Sequence, residues 1–140
     1  MSDYETHPGI GVMLSWLGGN TASVAALKES TDKEIAALGI NEERLLFTFA
    51  DGTAMRLYDE GQSCCERRYM HTDDALEDFI GAQFKKAEVR DGPTENDGEY
   101  DDVKESQFLV ITTSIGQFTV VNYNEHNGYY GGFALKAEKV

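Results

Sequence analysis

Cysteine is nearly absent: the 140-residue chain has two, Cys64 and Cys65, and they are adjacent. Neighbouring cysteines reach the disulfide dihedral only by straining the peptide between them, so an intramolecular bridge is disfavoured. In an extended chain their thiols diverge, so Cys64, Cys65, His71 and His126 make a poor four-ligand zinc set, and no C-x-x-C knuckle supports one. Basic residues are also scarce. Twelve Lys and Arg face 25 Asp and Glu, a formal charge of −13 that repels nucleic-acid backbones and anionic membranes. No apolar run approaches the roughly 20 residues that span a bilayer. No charged segment followed by an apolar stretch marks a secretory leader. These absences point to a cytoplasmic protein with no membrane partner, no direct nucleic-acid binding and no metal, and no cofactor is expected.

What is present argues for a packed core. Hydrophobic residues make up 41% of the chain, with seven Phe, seven Tyr and one Trp, a profile unlike that of a disordered acidic tail. Residues 1–20 mix Gly, Pro and large apolar side chains without period and read as an irregular arm, which Met13, Leu14, Trp16 and Leu17 dock. Residues 21–140 read as one domain. A short helix is expected over 22–29; residues 33–40 suit a strand and a helix equally. LLFTFADGTAMRLYD is a hairpin. If Asp51-Gly52 forms a two-residue turn, Ala50 pairs with Thr53, Phe49 with Ala54 and Phe47 with Arg56.

HTDDALEDFIGA offers Thr72 or Asp73 as a helix cap and Leu76, Phe79 and Ile80 at helical spacing, which predicts a helix of two to three turns. FKKAEVRD reads as a strand closed by the acidic loop DGPTENDGEYDD. The remainder reads as three strands in a meander, with turns near Gly116 and at Asn127-Gly128. The fold class expected is therefore α+β: a single domain, mainly antiparallel sheet, with one or two short helices.

Two stretches carry the chemistry. In GQSCCERRYM, Arg67, Arg68 and Tyr69 precede the expected helix, and guanidinium forks beside free backbone N–H groups suit phosphate or carboxylate oxygens. The competing reading pairs the arginines with Glu60, Glu66, Asp73 or Asp74. In NEHNGYYGGF, a two-residue turn would set His126 opposite Tyr129, Asn124 opposite Gly131 and Asn122 opposite Phe133. Asn124, His126, Asn127, Tyr129, Tyr130 and Phe133 would then form a polar, aromatic face able to stack and hydrogen-bond a small ligand. The alternative is a glycine-bulged hairpin whose tyrosines pack on the sheet or on a partner subunit. A nucleophilic cysteine would gain from the nearby arginines, but Glu66 opposes them and no residue orients a His base.

YDEGQSCCERRYMHTDDALEDFIGA followed by NYNEHNGYYGGF resembles an uncharacterised family of short acidic proteins of bacteriophages and bacteria, a domain of unknown function, over roughly residues 40–135. The resemblance implies a strand for residues 33–40, a phage or prophage context and no established catalytic residues. By analogy of size and origin, it implies inhibition of host machinery or capture of a nucleotide signal of host immunity. The leading expectation is a non-enzymatic binding protein, a homo-oligomer in the host cytoplasm, that sequesters a small anionic, nucleotide-derived ligand to counter host defence. The alternatives are an acidic protein-protein inhibitor of a host defence or nucleic-acid-binding protein, and an enzyme using Cys64 or Cys65 with His126 or His71.

Overall fold

The computed structural model describes residues 21–61, 66–96, 103–126 and 132–140. The expected arm of residues 1–20 lies outside them. Among the described residues one α-helix, α1 (Thr21–Ser30), precedes eight strands: β1 (Ile35–Ile40), β2 (Arg44–Phe49), β3 (Ala54–Asp59), β4 (Arg67–His71), β5 (Phe84–Asn96), β6 (Val103–Thr113), β7 (Gly116–His126) and β8 (Leu135–Lys139). They form two four-stranded sheets, ordered β1-β2-β3-β8 and β4-β7-β6-β5, with every pairing antiparallel. A single bridge between Glu34 and Gln83 joins β1's entry to β5's.

The α+β expectation is overturned: the described chain is an all-β, two-sheet fold with one lone α-helix. The helix expected after His71 is only a four-residue 3-10 turn, Leu76–Phe79. Its apolar spacing does not bury a helical stripe, since Leu76 is buried while Ile80 is 48% exposed. The backbone beyond it is claimed by β1: Gly81 N–H donates to Ile35 O, Ile35 N–H to Ala82 O, and Phe84 N–H to Lys33 O. A segment this short cannot offset helix nucleation against such competition. The strand at residues 35–40 agrees with the resemblance, and α1 matches the expected helix.

Register corrects two further expectations. The first hairpin pairs Phe47 with Met55 and Thr48 with Ala54, one residue away from the two-residue-turn register. Its loop has three residues. Gly52 N–H donates to Phe49 O, Phe49 N–H donates to Thr53 O, and Gly52 takes the left-handed conformation (φ 88°) that closes such loops. The shift turns Met55 and Leu57 inward, where both are buried, and leaves Arg56 and Tyr58 on the outer face.

The C-terminal meander ends early. β7 pairs with β6 and β4, so Asn122 lies between Gln107 and Met70, and Asn124 between Glu105 and Arg68; the last strand, β8, crosses to pair with β3. β5 also runs further than expected, through Gly92 and Pro93 to Asn96, with a register shift between Asp91 and Thr94. At Gly92 a Cβ would lie 2.9 Å from Ser106 O, so only glycine lets β6 approach this closely.

The two sheets share one core. Phe47 of β2 meets Phe84 of β5 edge-on at 5.3 Å and Phe118 of β7 at 6.4 Å. α1 packs Ala26 and Leu27 into the same core, and Ser23 Oγ accepts from Ala137 N–H on β8. Among the described residues no helix is long and apolar enough to cross a membrane.

Candidate functional site

Strand alternation sends the two adjacent arginines to opposite faces of β4. Arg68 points inward. Its side chain is 9% exposed and meets Asp59 at 2.9 Å and Glu66 at 2.9 Å, carboxylates that are themselves 9% and 1% exposed. Burial opposes the charge on Arg68, but the hydrogen bonds and charges of Asp59, and then of Glu66, outweigh it and hold its pKa above the ordinary arginine value. Gly61 lies over the guanidinium: a Cβ there would sit 2.7 Å from Arg68 Cζ, so a side chain at this position would dislodge the buried cation.

The same cluster joins the two motifs. Asn124 Nδ2 donates to Glu66 Oε2 (2.9 Å) and to Gly132 O (3.0 Å), while Gly132 N–H donates to Glu105 Oε1 (3.0 Å). His126 Nε2 stands 2.6 Å from that same Oε1. Asp59 Oδ1 accepts from the N–H groups of Gly61 and Ala134, both at 3.0 Å. Arg68, Asn124 and His126 thus meet in one buried network, linked by the carboxylates of Asp59, Glu66 and Glu105. Arg68 is occupied with Asp59 and Glu66, an arrangement that locks strand ends together.

Arg67 and Tyr69 occupy the outer face. Arg67 is 63% exposed, pairs with Glu42 at 3.1 Å, and lies 4.4 Å from the Tyr69 ring. Tyr69 stacks on Tyr123 (4.9 Å), over which Lys104 sits at 4.7 Å. Partial burial, then a hydrogen bond to Glu125, pushes the Tyr69 phenol up to about 12. Phe133 is partly buried against the core, so it serves packing. Asn127, Tyr129, Tyr130, Cys64 and Cys65 lie outside the described residues.

Between the β1–β2 turn, the end of β3 and β4 lies a cleft of about 540 Å³. Arg44, Arg56 and Arg68 line it with Glu42, Glu43, Asp59, Tyr58 and Tyr69. Arg56 lies over the Tyr58 ring at 4.5 Å and is held by Glu138. Burial, then a hydrogen bond to Glu138, raises the Tyr58 pKa. Arg44, half-buried and opposite Tyr58 in register, has no carboxylate partner among the described residues. Arg44, Tyr58, Asp59 and Glu105 stand outside the site residues that the sequence motifs predicted. The alternation of Arg44, Leu46 and Thr48 against Leu45, Phe47 and Phe49 was the one signal that put Arg44 on the outer face.

Among the described residues no three His, Cys, Asp or Glu side chains converge to hold a metal. A family model described as a domain of unknown function (DUF7448) matches residues 23–135. No curated protein matches the chain. No solved structure matches it either.

Proposed function

We propose that the chain, which belongs to the family described as a domain of unknown function (DUF7448), is a non-enzymatic binding protein that holds a small, anionic, nucleotide-like ligand in the cleft beside β3 and β4. The observation that carries this reading is Arg44. It is a guanidinium in a cleft, without a carboxylate partner among the described residues, in a chain where acids outnumber bases by 25 to 12. Such a fork is free to take two oxygens of a phosphate or carboxylate. Beside it, the Arg56–Tyr58 pair supplies a planar cation-π layer on which a base can stack, and Glu42 and Glu43 can accept from its N–H groups. Arg68 closes the cleft from behind, its own charge already taken up by Asp59 and Glu66. In a phage setting, such a protein would remove a nucleotide-derived defence signal by sequestration.

Isothermal titration of the purified protein against cyclic dinucleotides, cyclic trinucleotides and ADP-ribose variants tests the reading. Saturable heat is expected with at least one of them. Arg44→Ala should weaken that binding about tenfold or more, as loss of a charge-assisted contact does, and Arg67→Ala should weaken it less. No heat with any ligand in the panel would overturn the proposal.

A further inference from the structure

The inner face of the β6–β7 pair changes character along its length. Phe118 and Val120 of β7 and Leu109 and Ile111 of β6 are core; the next positions on the same face are Asn122 and Asn124, and Gln107 and Glu105. Asn122 is paired with Gln107 and Asn124 with Glu105, so the four residues occupy the corners of one cross-strand square. Directly opposed residues in such a ladder lie about 5 Å apart, and next neighbours on one face about 7 Å apart.

Their amide nitrogens are committed. Asn122 Nδ2 donates to Gln107 O (3.2 Å), Asn124 Nδ2 to Glu66 Oε2 and Gly132 O, and Gln107 Nε2 reaches Asp91 Oδ1 at 3.5 Å. Each amide nitrogen therefore faces an oxygen, which fixes the amide orientation. The three amide oxygens are left over: Asn122 Oδ1, Asn124 Oδ1 and Gln107 Oε1 are buried without a hydrogen-bond partner, in residues 1%, 0% and 3% exposed. An orphaned buried acceptor loses its hydration without regaining a hydrogen bond, which is costly. Three of them on adjoining corners of one square call for a shared positive partner.

Charge makes the same demand. Around the square stand the carboxylates of Asp59, Glu66 and Glu105 and one guanidinium, that of Arg68, which pairs with the first two. With three carboxylates to one guanidinium, the cluster is short of positive charge. The segments outside the described residues contain no lysine or arginine that could supply it.

We infer that this polar end of the core binds a hard, oxygen-seeking metal cation, calcium or an alkali ion, on the amide oxygens of Asn122, Asn124 and Gln107 together with the Glu105 carboxylate. Neutral amide oxygens with one carboxylate suit ions of that class and are a poor set for zinc or copper, which favour nitrogen and sulfur. Water could satisfy the same oxygens, but it would bring neither charge nor cation selectivity, and this difference is what the test reads.

The full chain, dialysed against a chelator and then into tetramethylammonium chloride, would be melted at constant ionic strength with calcium, magnesium, sodium or potassium chloride replacing part of the salt. Metal content would be read by atomic spectroscopy. One cation should raise the melting temperature saturably, with about one ion per chain if it is calcium. Asn122→Leu, close in shape but without the oxygen, should abolish saturation. Equal melting temperatures in all four salts with no stoichiometric metal would overturn the site, since screening of the −13 charge acts on all monovalent ions alike. An unchanged cation response in Asn122→Leu would overturn it too. If that variant does not fold, the wild-type melts decide alone.

Discussion

Arg67 and Arg68 share a charge and a peptide bond, and their surroundings separate them. Arg67 sits in water with 63% of its side chain exposed, while Arg68 is enclosed with two carboxylates. Surface ion pairs contribute about 1 kcal/mol or less, so Arg67→Met should move stability by no more than that. Arg68→Met leaves Asp59 and Glu66 buried without their cation, and breaking a buried pair on one side costs about 3–5 kcal/mol. Urea denaturation of the two variants checks this. Equal losses would mean that Arg68 is less enclosed than its geometry states. The doublet was visible in the sequence, but its division was not: with a helix expected to begin nearby, nothing said that the two residues open a strand and face opposite ways. Glu66 was recognisable as a partner because it is a neighbour, whereas Asp59 lies nine residues back across an unassigned corner. The polar alternation of Asn122, Asn124 and His126 was legible, and all three are indeed on one face, buried. What they face was not legible, because β4 takes the edge that the expected meander had assigned to residues 131–133.

Elements failed or held according to how local their determinants are. α1 and the strands flanking Asp51-Gly52 follow from propensity and pattern over a few residues, and both are present. The loop length between those strands depends on one left-handed residue and a side chain, and it shifted the register by one. Asp51 fixes that loop: its carboxylate accepts from Thr53 N–H (2.9 Å) and Thr53 Oγ1 (2.6 Å) and pairs with Lys33. The hydrogen bonds from the Thr53 hydroxyl and backbone, then that from Lys33, lower the Asp51 pKa from 3.8 to about 2. A carboxyl whose pKa is depressed on folding stabilises the folded state above its unfolded value, and that contribution is lost as the pH falls through the folded value. The hairpin should therefore loosen between about pH 4 and pH 2, following this one group. Carboxyl-detected NMR titration should place Asp51 at about 2, well below the ordinary aspartate value of 3.8, and Asp51→Asn should flatten that part of the stability profile. An ordinary titration midpoint for Asp51 would refute the account.

At the scale of the molecule, the sequence patterns described one sheet in need of cover, and the cover turned out to be a second sheet. Alternating strands look the same whether they pack on a helix, on a partner subunit or on each other, so the all-β class was hidden although most strands were not. The chain crosses between layers twice after β3, on entering β4 and on entering β8, and each crossing is decided by long-range pairing that no local window contains. Phe47 is where those crossings are consolidated: on β2, with no exposed surface, it touches Phe49 of its own sheet and Phe84 and Phe118 of the other. If the two sheets form one cooperative unit, Phe47→Ala should cost about 3–5 kcal/mol, as deletion of a buried aromatic does. It should also lower hydrogen-exchange protection in β5, β6 and β7 as much as in β1, β2 and β3. If the sheets open separately, the loss of protection would stay within β1, β2, β3 and β8 while the β5–β7 amides kept their wild-type exchange rates. The geometry favours the first outcome, because removing the Phe47 ring withdraws contacts from both layers at once.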